Sequence, residues 1–292
     1  MLVDAHGHVN FSAFKNDADA VLKSALEGGT WVVMPGSQYS TSRRAVEIAE
    51  RYGEGVYAAV GLHPIHLSEK RKMDVQEVQS ENGKEEPWMT FETNGEEFSY
   101  EKYRELGRRE KAVAIGECGL DYYTEPKGRE KREAQRAKQK AALAQQVRLA
   151  QELNLPLIFH CRKAHEDLIE FLWPHKGAIR GVAHCYTGDM KQAEKFFELG
   201  LFFGFNGLIF KEVPALPDPT EIIKALPLER IVLETDSPYL IPPQAIVGSD
   251  PTMRNEPLFV KYVAEEIARI KGISMDEVAL VTSKNAKSLF FI

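Results

Sequence analysis

Cysteine is scarce in this chain, with three residues in 292. The number is low and odd, which excludes a disulfide-stapled secreted scaffold and fits a reducing compartment. Long apolar runs are missing too. No stretch approaches the ~18–20 residues needed to span a bilayer, and the start runs into an apolar strand with Asp4 rather than into a signal-peptide pattern. A cytoplasmic setting, away from membranes, is expected. Basic charge is not in excess: 37 Lys and Arg stand against 43 Asp and Glu, for a formal net charge of -6. No global positive field draws in a polyanion, so such a substrate needs local help from metals or a few placed arginines. No Gly-x-Gly-x-x-Gly follows any apolar run, which disfavours an open dinucleotide-binding sheet. There is no internal repeat and no low-complexity tail.

What is present is an alternation. Short apolar runs fall at Leu2–His6, Trp31–Met34, Val56–Val60, Val113–Glu117, Leu157–His160, Gly181–His184, Leu201–Gly204 and Ile231–Glu234, eight in all. Segments of helical period fill the gaps at Asp17–Glu27, Ser40–Arg51, Tyr100–Glu110, Arg129–Asn154, Ala164–Trp173, Lys191–Leu199 and Pro219–Leu226, with two more near Pro257–Ile270 and Ser274–Leu289. Strand and helix in strict turn predict a parallel sheet. Eight such units in this length predict an α/β fold, a closed (β/α)₈ TIM barrel forming one domain over residues 1–292.

One stretch breaks the rhythm. Between Pro64 and Tyr100 lie about thirty residues where ~2–6 would serve a βα connection. It opens with the charged run Glu69-Lys70-Arg71-Lys72 and continues through Trp88 and Phe91 to Asn94-Gly95. Asn-Gly is a strong signal for a two-residue hairpin turn. It would set Phe91 opposite Phe98 and Met89 opposite Tyr100. An inserted hairpin at about 68–100, walling or covering the active-site face as a lid, is expected; a disordered acidic loop is the alternative.

The polar residues gather at strand ends. His6 and His8 are two apart, and on an extended strand such residues point to one side. Glu117, His160 and His184 end three later runs, and Asp236 follows the last run by two residues. In a barrel these ends share one face, where catalytic groups are found. Four imidazoles and two carboxylates are too many ligands for one tetrahedral zinc and suit two divalent metals, Zn, Mg or Mn, ~3.5–4 Å apart. Glu117 is the natural bridge, because a carboxylate offers two oxygens to two cations. Asp236 could also take the proton of the attacking water. Arg162, two beyond His160, could pair with a phosphate. Asp121 could fix a histidine tautomer. Cys118, Cys161 and Cys185 each follow a proposed ligand and by alternation would face the helix layer as packing residues. His66 reads as surface, and His165 and His175 as structural.

The segments Asp4-Ala5-His6-Gly7-His8, Gly61-Leu62-His63-Pro64, Gly116-Glu117-Cys118-Gly119-Leu120-Asp121-Tyr122, His160-Cys161-Arg162, His184-Cys185-Tyr186-Thr187-Gly188, Glu234-Thr235-Asp236-Ser237-Pro238-Tyr239 and Arg254-Asn255-Glu256-Pro257 together resemble the TatD family of metal-dependent deoxyribonucleases. The likeness runs in order from residue 2 to Asn285; the long stretch after Pro64 departs from it. It implies a barrel of the metal-dependent hydrolase type and hydrolysis of phosphodiester bonds. It also implies that His6, His8, Glu117 and Asp236 hold one metal, and Glu117, His160 and His184 the other. His63 would contact the scissile phosphate or leaving group, and Asn206, Arg254 and Glu256 would line the substrate groove, with a helix cap the alternative for Glu256. The expected substrate is DNA, as single strands or chain ends, and the chain is expected to be a monomer. A metal-dependent ester hydrolase on the same barrel, such as a D-aminoacyl-tRNA deacylase, is the alternative enzyme. A non-catalytic metal- or nucleic-acid-binding module is the alternative class.

Overall fold

The apolar runs form the expected strands. In the computed structural model, which describes residues 1–68, 72–74, 90–93, 95–123, 125–214, 216–246 and 253–292, the strands are β1 (Leu2–Asp4), β2 (Thr30–Pro35), β3 (Val56–Val60), β4 (Lys72–Asp74), β5 (Thr90–Glu92), β6 (Ala112–Asp121), β7 (Leu157–Arg162), β8 (Gly181–Ala183), β9 (Phe202–Phe205) and β10 (Ile231–Leu233). Eight of them close a barrel in the order β1-β10-β9-β8-β7-β6-β3-β2, every pair parallel. The helices are α1 (Ala18–Glu27), α2 (Tyr39–Ala49), α3 (Tyr100–Gly107), α4 (Arg129–Leu153), α5 (His165–Leu172), α6 (Met190–Glu198), α7 (Pro219–Ala225), α8 (Val260–Lys271) and α9 (Met275–Phe290).

Alternation sorts each strand into two faces. Val32, Met34, Ala58, Val60, Leu157, Phe159 and Leu233 join the core beneath the helices. Their neighbours Val33, Ala59, Ile158, Val182 and Val232 form a second cluster with Val3, Ala114 and the α9 residues Leu289 and Phe290. That second cluster fills the barrel and is floored by α9. Two residues further along the same face, Ile158 leads to His160, Val182 to His184 and Val232 to Glu234. Burial of the apolar layer thus aims the polar layer above it.

Local chemistry ends the helices where the pattern stops. Asp189 caps α6 by accepting from Gln192 N–H at 2.9 Å, and the Gln192 side chain returns the bond at 3.0 Å. This reciprocal pair satisfies two donors that would otherwise lack partners. α8 ends at Gly272, whose φ of +67° is cheap only for glycine.

The insertion differs from expectation. Thr90–Glu92 pairs antiparallel with Lys72–Asp74, Phe91 opposite Met73, and residues 95–99 form no strand. Phe98 instead stacks on Tyr103 of α3 at 4.6 Å between ring centres, and Tyr100 opens that helix. Asn94 and Met89 of the expected hairpin lie outside the described residues. Thr90–Glu92 takes a long-range strand partner instead of residues 96–98.

Candidate metal centre

Only one expected ligand sits inside a barrel strand with its register intact. β1 stops at Asp4, β8 at Ala183 and β10 at Leu233, so His6, His8, His184 and Asp236 stand just beyond the strands in bonded turns. His6 N–H donates to Asp4 Oδ1 at 3.2 Å, His8 N–H to Ser237 O at 2.8 Å and Asp236 N–H to His6 O at 2.8 Å. Glu117 lies within β6, where the register against β7 slips between Ile115 and Cys118. The extra residue is a bulge, a device that re-aims a side chain. His160 is the exception, carried by β7. Opposite it, Gly119 has φ +151°, and a Cβ there would lie 1.9 Å from His160 O.

These turns bring all six expected ligands to one pole. His6 and His8 meet at 3.1 Å between their Nε2 atoms. Glu117 Oε2 lies 3.3 Å from His6 Nε2 and 3.9 Å from His8 Nε2. Asp236 Oδ1 lies 3.4 Å from His8 Nε2, 3.9 Å from His6 Nε2 and 3.8 Å from His184 Nε2. On its other side Glu117 Oε1 lies 2.9 Å from His160 Nδ1 and 3.3 Å from His63 Nε2. Three sets of donor atoms each gather within 4.8 Å: His6, His8 and Asp236; His6, His184 and Glu234; His63, Glu117 and His160. The rings of His184 and His6 stack at 3.4 Å.

Hydrogen bonds decide which nitrogens carry protons. His8 Nδ1 lies 3.0 Å from Pro35 O. A carbonyl only accepts, so Nδ1 holds the hydrogen and Nε2 keeps its lone pair. His184 Nδ1 donates in the same way to Glu234 Oε2 at 2.8 Å. His63 is the reverse: its Nδ1 accepts from Ile65 N–H at 3.1 Å, so Nε2 bears the hydrogen and turns a donor toward Glu117. His160 is held at both ends, by Glu117 and by Asp121 Oδ2 at 3.0 Å from Nε2.

The charges are out of the ordinary. Burial would push the Glu117 carboxyl up, but His63, His6 and His160 around it hold it well below the usual range. Burial acts on Asp236 likewise, and His8 and His184 carry its pKa below normal. Burial pulls both His160 and His184 down, yet their carboxylate partners raise them to about 9 and about 10. His6, with burial and His184 both against its charge, falls to about 4. No lysine or arginine lies within ion-pair distance of Glu117, Asp121, Glu234 or Asp236 among the described residues. Three buried carboxylates and the half-buried Asp236, whose ion-pair partners among the described residues are all imidazoles, with lone pairs of several rings turned inward, fit divalent cations.

A family model described as TatD related DNase matches residues 3–291. The chain belongs to the TatD family. A Bacillus subtilis protein named an uncharacterized metal-dependent hydrolase, YabD, is 34% identical over 295 residues, covering 100% of both chains. An Erwinia tasmaniensis protein named 3'-5' ssDNA/RNA exonuclease TatD is 31% identical and covers 99% of each. The crystal structure of YjjV, a TatD homologue from Escherichia coli, superposes with TM-score 0.77 at 28% identity, over 100% of this chain and 98% of that one. This TatD-family enzyme is a metal-dependent hydrolase. The deacylase alternative finds no support in these relatives.

The expected substrate residues of the TatD-family chain divide. His63 stands inside the pole, its ring 4.1 Å from that of His160. Arg162 stands at the rim, its guanidinium 3.5 Å over the Tyr123 ring. Asn206 is buried and caps the following turn, accepting from Leu208 N–H at 3.1 Å, while its Nδ2 has no partner. Arg254 does not present its charge to a groove. It binds Ala13 O and Asp17, lies 3.6 Å from Glu256 and covers Phe14. It fastens the segment whose Phe11 stacks on His8 at 4.1 Å. His66, expected at the surface, is 4% exposed. Cys118 and Cys161 are buried as expected. Cys185 lies past the end of β8 with φ +44°, so alternation no longer applies, and its Sγ reaches Asn206 Oδ1 at 3.6 Å.

Three supports were missed. Glu234 is fully buried and orients His184; Gly204 makes room for it, since a Cβ there would lie 2.0 Å from Glu234 Oε1. The inward step from Val232 could have found it. Asp4 accepts from Thr235 N–H at 2.8 Å and Thr235 O–H at 2.6 Å, tying β1 to the segment that carries Asp236. Finally, the turn after β2 offers three successive carbonyls. Pro35 O takes His8 Nδ1–H, Gly36 O takes Glu117 N–H at 3.0 Å and Ser37 O takes His63 N–H at 2.9 Å. Backbone acceptors leave no residue-type signal.

Proposed function

We propose that this TatD-family enzyme hydrolyses phosphodiester bonds in nucleic acid, as a monomer acting on single strands or chain ends, with two divalent metal ions. The observation that carries the reading is the division of Glu117, with Oε2 facing His6 and His8 and Oε1 facing His160 and His63. In this reading His6, His8, Asp236 and Glu117 would hold one ion, and Glu117, His160 and His184 the other. Zn, Mg or Mn bound there supplies Lewis acidity and the positive charge that a net acidic chain lacks.

The residues do the rest. Asp236, ionised because His8 and His184 stabilise its charge, accepts the proton of the attacking water. His63, whose Nε2–H faces Glu117 Oε1 in the free enzyme, would donate that hydrogen to the phosphate or the departing oxygen of bound substrate. Asp121 and Glu234 hold the His160 and His184 rings in place. Arg162 offers its fork to phosphate, and the unpartnered Nδ2 of Asn206 supports a contact with substrate. The chain after β3 leaves and re-enters at this pole, Glu96 N–H bonding His66 O at 2.9 Å, which supports a lid role for residues 68–100. The relatives named ssDNA/RNA exonucleases favour single-stranded substrate.

The test is an assay on labelled single- and double-stranded DNA and RNA and on an aminoacyl-tRNA, with metal-stripped protein as control. Metal-dependent shortening of single strands from one end is expected. Release of the aminoacyl group with intact nucleic acid would overturn the reading.

A further inference from the structure

Beyond His160, β6 and β7 end side by side. Asp121 stands opposite Arg162 in the register, and Tyr122 N–H donates to Arg162 O at 2.9 Å. The next residues build a compact group. The Arg162 guanidinium lies 3.5 Å from the centre of the Tyr123 ring, and Lys163 Nζ lies 4.5 Å from the same centre. Tyr123 N–H donates to Asp121 Oδ1 at 2.9 Å, and the other oxygen of that carboxylate meets His160 Nε2 at 3.0 Å. One carboxylate thus fixes both a ring of the metal pole and the backbone of the tyrosine under the two cations.

Neither cation is neutralised. No carboxylate lies within ion-pair distance of Arg162 or Lys163 among the described residues, and no side-chain donor of either has an acceptor there. Cations close by are treated differently: Arg136, 4.2 Å over the Tyr122 ring, is bound by Glu125, and Lys140 is paired with Asp167 at 2.7 Å. Two like charges on one ring repel each other. Lys163 also holds a left-handed backbone, φ +54°, which a β-carbon makes costly. Stacking uses only the flat face of a guanidinium and leaves its N–H edge unoccupied, in the geometry that matches phosphate. A fixed ring, an edge of unpartnered donors and a second cation form an anion site. It is not the metal pole itself, since Arg162 lies two strand residues past His160, ~6.6 Å of rise.

We propose that Arg162, Lys163 and Tyr123 bind the phosphate next to the scissile one, so that the enzyme selects chains carrying at least two phosphodiesters. The proposal rests on the phosphodiesterase reading above. It makes a dinucleoside monophosphate a poor substrate and a trinucleotide a good one.

The metal-loaded enzyme should favour the trinucleotide over the dinucleotide by tenfold or more in kcat/KM. In Lys163→Glu and in Arg162→Gln that ratio should fall toward one, mainly through KM on the trinucleotide. Binding is read separately, from the anisotropy of a labelled trinucleotide on Asp236→Asn protein. Adding Lys163→Ala should weaken it several-fold and lower the slope of log affinity against log salt by about one. Lys163 is exposed, so its replacement leaves packing intact. A wild type that does not distinguish the two substrates, or a preference that survives Lys163→Glu, overturns the anion site. If neither substrate is cleaved, the phosphodiesterase reading fails, and the anisotropy of the labelled chain decides the anion site alone: unchanged affinity and salt slope in Lys163→Ala would end it.

Discussion

Two layers of one barrel interior divide the labour. The lower layer, with Val33, Ala59, Ile158, Val182 and Val232 on a floor of Leu289 and Phe290, is a cluster of buried apolar side chains. The upper layer, reached two residues later on the same strand faces, holds carboxylates whose ion-pair partners among the described residues are all imidazoles. One is stable by itself, since apolar burial needs no partner. The other carries charge that burial disfavours and stays in place through the hydrogen bonds of Asp4, Asp121, Glu234 and the turn at Pro35–Ser37. The difference shows why the lower strands can be short and plain, while each ligand is placed by a turn or a bulge with its own bonds.

The comparison breaks most sharply at Asp236. Asp236→Asn keeps the shape but cannot accept the water's proton, so turnover should fall about 10⁴-fold, ~5 kcal/mol. Thermal stability should barely change. Kinetics and a melting curve on the same preparation check both halves; near-normal turnover would take the base role from Asp236. The lower layer should respond in the opposite sense. Phe290→Ala removes a 1% exposed ring from the floor and should lower unfolding free energy by ~3–5 kcal/mol. Metal stoichiometry of the folded protein should remain that of the parent, measured by denaturation and by metal analysis.

Glu234 sharpens the contrast, because it touches no substrate. Glu234→Gln should weaken metal binding ~10–100-fold by freeing the His184 ring. Its pH dependence is diagnostic. Against the pull of burial, Glu234 above all, with Asp236 and Glu117, raises the His184 pKa to about 10, so the metal-free ring is protonated at neutral pH and a cation must displace that proton. Parent affinity should therefore rise as pH rises from 6 to 8, by at most about tenfold per unit for each proton displaced. In Glu234→Gln the ring loses its anionic partner, its pKa falls, and the rise should flatten. Calorimetric titration at three pH values reads this directly; equal slopes in both proteins would rule out Glu234 as the cause.

How far the sequence reaches follows the same two layers. The apolar layer was legible because alternation and run length speak for burial, and the strand Val56–Val60 was placed to the residue. The ligands were legible as residue types at strand ends. Their geometry was not. By spacing alone His6 and His8 belong on an extended strand, yet β1 stops at Asp4 and hydrogen bonds to Asp4 and Ser237 do the aiming. Arg254 looked available for substrate because nothing in a sequence shows that Asp17 and Ala13 O already hold it. Asn94-Gly95 pointed to a strand pair of Phe91 with Phe98, but Thr90–Glu92 has its partner at Lys72–Asp74, which only long-range pairing reveals.

The smallest effect should come from Glu96, where the insertion returns to the barrel. Its carboxylate accepts from Tyr39 N–H, at the N-terminus of α2, at 3.2 Å and 3.4 Å, and from Tyr103 O–H at 2.9 Å. The charge favours the positive end of the helix. Glu96→Gln keeps an acceptor for the Tyr103 hydroxyl and loses only the charge, so stability should fall ~0.3–1 kcal/mol. Glu96→Ala also leaves that hydroxyl, on a fully buried ring, without its acceptor, which should cost ~1–3 kcal/mol. α2 follows directly on the turn whose carbonyls hold His8, Glu117 and His63. Slack at Tyr39 should therefore reach the pole, and Glu96→Ala should bind metal a few-fold more weakly while Glu96→Gln stays close to the parent. Denaturant melts and metal titrations of the two variants separate charge from anchorage: equal stability losses would leave charge alone at work, and unchanged metal affinity in Glu96→Ala would uncouple the insertion from the upper layer.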